Sequence, residues 1–117
     1  GDSPVIGAGT YADNNSCAVS CTGHGEYFIR HAVAFDVCAR YKYLKESVEK
    51  AADYIIHTEL NTNAGNGGLI AVDKLGNIAM PYNSGGMFRG FLYKEKGRPE
   101  IKKGCGIGKK IVVVGEK

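Results

Sequence analysis

Apolar and polar positions alternate over 16–21, "SCAVSC", and a shorter apolar run covers 5–11, "VIGAGTY". Both read as strands, separated by the turn-rich "ADNN". Gly23 and Gly25 break the alternation, and from Glu26 to Tyr43 the period lengthens to that of a helix. One apolar row is Ile29, Val33, Val37 and Tyr41, another is Phe28, Ala32, Phe35 and Ala39, which predicts a helix buried between layers. A second helix is predicted from Glu46 to Leu60, with Val48, Ala52, Ile55 and Ile56 inside and Glu49, Lys50 and Asp53 outside. "NTNAGNGG" at 61–68 reads as a loop, and "LIAV" at 69–72 with "NIAM" at 77–80 reads as a hairpin across "DKLG". Further strands are predicted in "MFRGFLY" at 87–93 and "KIVVV" at 110–114, with the glycine- and lysine-rich 94–108 between them as loop. Strands, two consecutive helices and strands again predict an α/β chain of the α+β kind. Its helices layer on an antiparallel or mixed sheet, unlike the strand–helix alternation of a doubly wound nucleotide fold.

Bulk properties narrow this picture modestly. The 117 residues suit a single domain, and 44% hydrophobic with 23% charged residues is ordinary for a globular protein. No run approaches the roughly 18 apolar residues of a membrane span. The opening Gly-Asp-Ser-Pro is neither an initiator Met nor a signal peptide, so a processed or partial chain is expected. A net charge of +3 is too mild to predict nucleic-acid binding. From Lys94 onward eight Lys/Arg face three Glu, yet no aromatic stacking row accompanies them, so a solvated surface is expected there. Cys17, Cys21, Cys38 and Cys105 form no C-x-x-C pair, and none stands at zinc-finger spacing from a histidine. Cys17 and Cys21 share a strand face but lie too far apart to bridge, which predicts buried, reduced thiols and a reducing, cytoplasmic compartment.

The candidate chemistry sits at "CTGHGE", residues 21–26, where a strand is expected to turn into a helix. Amides at a helix start lack intrahelical partners, and glycines let backbone approach a ligand closely. The hydroxyl of Thr22 with the amide of Gly23 makes a reasonable oxyanion hole. A glycine-rich turn without chemistry is the competing reading. The segment is not a phosphate loop, because no G-x-x-x-x-G-K-[ST] is present and no lysine follows the glycines. His24, His31 and His57 are expected to be structural.

"GDSPVIGAGTYAD" followed by "TGHGE" resembles the small, C-terminal subunit of the plant-type asparaginase/isoaspartyl peptidase family, and also the glycosylasparaginases. "GGLIAVDKLGNIAMPYNSGGMFRG" is similar to the former branch alone. The resemblance spans 1–95 and leaves 96–117 uncovered. It implies a four-layer αββα N-terminal nucleophile hydrolase sandwich, of which 1–117 forms one partial domain. It implies an amidohydrolase that acts on L-asparagine and β-aspartyl dipeptides through an N-terminal Thr released by self-cleavage. Thr22 and Gly23 would then form the oxyanion hole, while Asp2 and the carbonyl of Gly25 would hold the substrate's α-amine.

On the same resemblance the nucleophilic Thr lies upstream of Gly1, outside this sequence. The segment is therefore expected to act with a large (α) subunit of the same precursor, in an (αβ)2 assembly. No cofactor, catalytic metal, nucleic acid or membrane is called for. A glycosylasparaginase-type hydrolase and a catalytically silent binding or scaffold fragment remain as alternatives.

Overall fold

The computed structural model describes residues 3–62, 65–94, 101–106 and 112–115. Contacts divide the chain into two units, 1–84 and 85–117. The first holds strands β1 (Thr10–Ala12), β2 (Cys17–Gly23), β3 (Gly67–Asp73) and β4 (Ile78–Ala79) in an antiparallel sheet of order β1-β2-β3-β4. Between β2 and β3 run helices α1 (Gly25–Arg30), α2 (Val33–Tyr43) and α3 (Val48–Tyr54), the last continuing as a π-helical segment, Ile55–Leu60. The second unit is an antiparallel sheet of β5 (Arg89–Lys94), β6 (Ile101–Gly106) and β7 (Val112–Gly115). The chain is an α+β protein.

Strand periodicity sorts the faces of the first sheet. Cys17, Val19 and Cys21 point into the helical layer with Leu69 and Ala71, and all are buried. Their neighbours Ala18, Ser20, Thr22, Ile70 and Val72 face the other way and are exposed. Phe28, Val33, Val37, Val48, Ala52, Ile55, Ile56 and Leu60 are fully buried in one cluster with the inward strand residues. The inner and outer faces expected of the 46–60 helix are those observed, although the helix begins at Val48, where Ser47 caps it by accepting from the amide of Lys50.

Three expectations are corrected. The continuous helix over 26–43 is two helices, because Ala32 takes a left-handed conformation (φ 47°, ψ 53°) between them. The restart of α2 is held by tertiary bonds: the amides of Ala34 and Phe35 donate to the carbonyls of Ala8 and Gly7. Nor is this helical region apolar on all sides in effect, since Ile29 and Phe35 are half exposed. Second, the run 5–11 yields a strand only from Thr10. Gly7 (φ 91°) turns the chain and directs the two carbonyls at α2. Third, β6 falls inside the segment expected to be loop. Ladder bonds to β5 on one side and β7 on the other hold it extended despite its glycines and lysines. Residues 110 and 111 of the expected final strand lie outside the described residues.

Phe28 anchors α1 to the sheet and fills space that a side chain on Gly67 would otherwise claim. Phe28→Ala should lower unfolding stability by about 3–5 kcal/mol, measured by chemical denaturation of the full protein, whereas Phe35→Ala should cost much less.

Candidate active site

The corner predicted at residues 22–25 is present, and close backbone approach explains its composition. Gly23 pairs with Gly67 at the ends of β2 and β3. Gly23 has φ 139°, and a Cβ there would run into the carbonyl oxygen of Asn66 and lie 2.5 Å from Cα of Gly67. A Cβ on Gly67 would strike the carbonyl of Thr22 and come within 2.8 Å of the Phe28 ring. Two strands that approach this closely tolerate only glycine on both sides.

Beyond Gly23 the amide of His24 donates to Asn66 O at 2.9 Å, and the carbonyl of His24 accepts from Tyr27 at 3.0 Å. His24 thus closes the turn with its backbone and caps α1, while its side chain makes no cap bond and is exposed. Cys21, by contrast, is buried on the helical face.

Hydrogen-bond alternation locates the Gly23 amide. The amide of Cys21 donates to Gly9 O at 2.8 Å, towards the β1 edge. Gly23, two residues on, directs its N–H to the same edge, past Thr10↔Ser20, the end of the β1 register. Thr22 is exposed on the uncovered face of the sheet. The structure therefore brings together Thr22, Gly23 and Gly25 on one strand-to-helix corner, with a hydroxyl and an amide directed away from the core. Asp2 lies outside the described residues.

Asn83 was missed by sequence reasoning. Its Oδ1 accepts from the amide of Gly67 at 2.7 Å. Its Nδ2 donates to Asn61 Oδ1 at 2.6 Å, Gly65 O at 3.1 Å and Ile56 O at 3.5 Å. Its amide donates in turn to Gly67 O at 2.9 Å. One side chain thus ties the start of β3 to the end of the π-helical segment, and so fixes the strand against which Gly23 is held. In the sequence the glycines at 23 and 67–68 are compatible with a close backbone approach, but nothing there marks Asn83 as the residue that fixes it.

A separate open cleft of about 470 Å³ lies at the other end of the same strands, lined by residues that include Asn15, Tyr41, Lys42 and Asp73. Lys42 Nζ pairs with Asp13 Oδ2 at 3.4 Å. The Asn15 amide and then Lys42 hold the Asp13 carboxyl below the usual carboxylate range. Asp73 is occupied by its own turn, accepting from the amides of Leu75 and Asn77 and from Asn77 Nδ2. Among the described residues no group of three or more His, Cys, Asp or Glu is placed to hold a metal ion, and no helix is long and apolar enough to cross a membrane.

Comparison with known proteins follows the same residues. The sequence matches the asparaginase family profile over residues 1–101, and the chain belongs to that family. It is 50% identical over 93 residues to an isoaspartyl peptidase of Salmonella typhimurium, a match covering 80% of this chain and 30% of that protein. It is 45% identical over 107 residues to the isoaspartyl peptidase of Escherichia coli, covering 83% and 33% respectively. A human isoaspartyl peptidase/L-asparaginase is 41% identical over 87 residues, covering 74% and 28%. The chain thus spans about a third of the length of these relatives.

Gly23→Ala should cost about 3 kcal/mol or more, because crowding adds to backbone strain. Gly76→Ala, at φ 88° with nothing within 4 Å, should cost only about 1–2 kcal/mol. Asn83→Ala should cost about 1–3 kcal/mol by leaving the Gly67 amide without its acceptor. Urea titrations of the three variants check the order.

Proposed function

We propose that this chain is the oxyanion- and amine-binding part of a hydrolase that cleaves the side-chain amide of L-asparagine and the β-aspartyl bond of isoaspartyl dipeptides. The observation that carries the reading is the corner itself: an exposed Thr22 hydroxyl followed by a Gly23 amide directed past the end of β1. Membership of the asparaginase family and the names of its relatives support the substrate class.

In this reading a Thr supplied by a segment upstream of Gly1 attacks the substrate's β-carbonyl carbon. Its own α-amine, less basic than a lysine, takes the hydroxyl proton. The carbonyl oxygen becomes an oxyanion that accepts hydrogen bonds from Thr22 Oγ1 and the Gly23 amide. These donors matter most when negative charge is fully developed. Collapse of the tetrahedral species, with the proton passed to the leaving nitrogen, releases ammonia or the amine of the dipeptide's second residue and leaves an aspartyl ester. Water then adds to that ester through a second oxyanion in the same place and frees aspartate. Asp2 pairs with the substrate's α-ammonium, and the carbonyl of Gly25 accepts a hydrogen bond from it. The upstream segment and a large subunit arise by self-cleavage of one precursor, assemble as (αβ)2 and work in the cytoplasm.

The test is aspartate release by the full protein from β-aspartyl dipeptide and from L-asparagine. Thr22→Ala should lower kcat by about 100- to 1000-fold with a small change in KM, and Thr22→Ser should restore most of it. Asp2→Asn should chiefly raise KM. An unchanged kcat in Thr22→Ala overturns the assignment. Release of aspartate from glycosylated asparagine but not from the dipeptide would select a glycosylasparaginase instead.

A further inference from the structure

Two buried thiols that the proposed chemistry does not use face one another across the first unit. Cys17 opens β2 and Cys38 lies in the middle of α2. Their sulfurs are 2.8 Å apart, and the Cys38 thiol also donates to the carbonyl of Cys17 at 3.3 Å. Both residues are almost wholly buried, at 3% and 2% exposure. The contact is tighter than packing alone requires. From it we infer that Cys17 and Cys38 form a reversible disulfide on oxidation by a peroxide, a covalent staple between the sheet and its helical layer.

The surroundings suit that chemistry. The two sulfurs share hydrogen-bonding capacity, so the first to ionise is stabilised by the thiol of the other. Cys38 is the one favoured: the hydrogen bond from Cys17 lowers its thiol below the ordinary range, while Cys17 is pushed up by the same partner and by burial. The open cleft is lined by neighbours of both cysteines. Asn15 stands two residues before Cys17, Asp73 is its cross-strand partner, and Tyr41 and Lys42 follow Cys38 by three and four residues, within the next helical turn. The cleft therefore opens beside the end of the core at which the thiols meet, and is the side from which a peroxide would approach them. Cys21 sits farther along β2, buried on the same face.

The reaction balances without a cofactor. The Cys38 thiolate attacks one oxygen of hydrogen peroxide and the O–O bond breaks. The departing hydroxide takes the proton that Cys38 released and leaves as water, with a sulfenic acid on Cys38. The Cys17 sulfur then attacks the Cys38 sulfur, the S–O bond breaks, and the departing hydroxide takes the Cys17 proton as water. Two thiols are oxidised to one disulfide while one peroxide is reduced to two waters. A dithiol returns the pair to the reduced state by exchange. The bridged residues are 21 apart in sequence, and the ring they close contains Thr22, Gly23 and Gly25. Oxidation would therefore restrict the chain that forms the corner, whatever substrate that corner takes.

The test uses the full protein, reduced, freed of reductant and exposed to hydrogen peroxide, then alkylated in denaturant and digested with trypsin without reduction. Cys38 is the only cysteine of the peptide 31–40, and Cys17 and Cys21 share the peptide ending at Arg30. The expected product is these two peptides linked, two hydrogens lighter than their sum, with fragmentation placing the bridge on Cys17 and an alkyl group on Cys21. The thermal midpoint of the oxidised protein should rise by roughly 5 °C and return on reduction, and Cys38→Ser should show no such peroxide-dependent shift. The inference is overturned if peptide 31–40 remains fully alkylated at peroxide doses that already oxidise the exposed Cys105, or if Cys38 is recovered linked to any cysteine other than Cys17.

Discussion

The contact on which the first unit depends is the approach of β2 to β3 where Gly23 meets Gly67. A side chain on either residue would drive the strands apart, and three things would move with them. The bond from His24 to Asn66 that turns the chain into α1 would lengthen. The Phe28 ring, seated against Gly67, would lose its floor. The Asn83 side chain would no longer span from the start of β3 to the π-helical segment. Core packing and the shape of the corner therefore share one constraint, and it acts through backbone rather than through any reactive group. That is why glycine occurs on both strands.

A second constraint is the one-sided burial of the sheet. All the helical cover lies on the face of Cys17, Val19, Cys21, Leu69 and Ala71, so a change of register by one residue would exchange the core with Ala18, Ser20, Ile70 and Val72. Thr22 stands on the uncovered face because it is out of phase with Cys21, not because a special loop carries it. Its presentation follows from strand periodicity alone. Gly23 differs in kind: its amide is directed by the hydrogen-bond alternation of the strand, and it points past β1 because β1 is short.

These distinctions explain what was legible in the sequence. The 46–60 helix could be read, down to the inward Val48, Ala52, Ile55 and Ile56, because its helical period and its burial agree. The β3–β4 hairpin could be read because "DKLG" is a local turn, held by Asp73 and its immediate neighbours. The break at Ala32 was not legible. Nothing nearby in sequence demands a left-handed alanine, and the carbonyls that make α2 restart belong to Gly7 and Ala8, distant in the chain. For the same reason β6 read as loop: its glycines and lysines disfavour a strand, and pairing on both edges outweighs that preference. At the site, the corner was visible from "TGHGE", but the role of Asn83 was hidden, since an asparagine in a turn-rich stretch gives no hint of bonding to three separate segments. The proximity of Cys17 and Cys38 was equally invisible, because spacing along the chain says little about which strand a helix crosses.

The asymmetry between Asp73 and Asn83 has a consequence for how the molecule assembles. Asp73 closes its hairpin with groups from Leu75 and Asn77, so that end of the sheet can organise by itself, early and independently. Asn83 can act only once the π-helical segment, residue 65 and the first residue of β3 have already converged. The end of the sheet that bears Thr22 and Gly23 is thus closed by contacts between segments distant in the chain, whose loop-closure entropy weighs against its ordering ahead of the Asp73 hairpin.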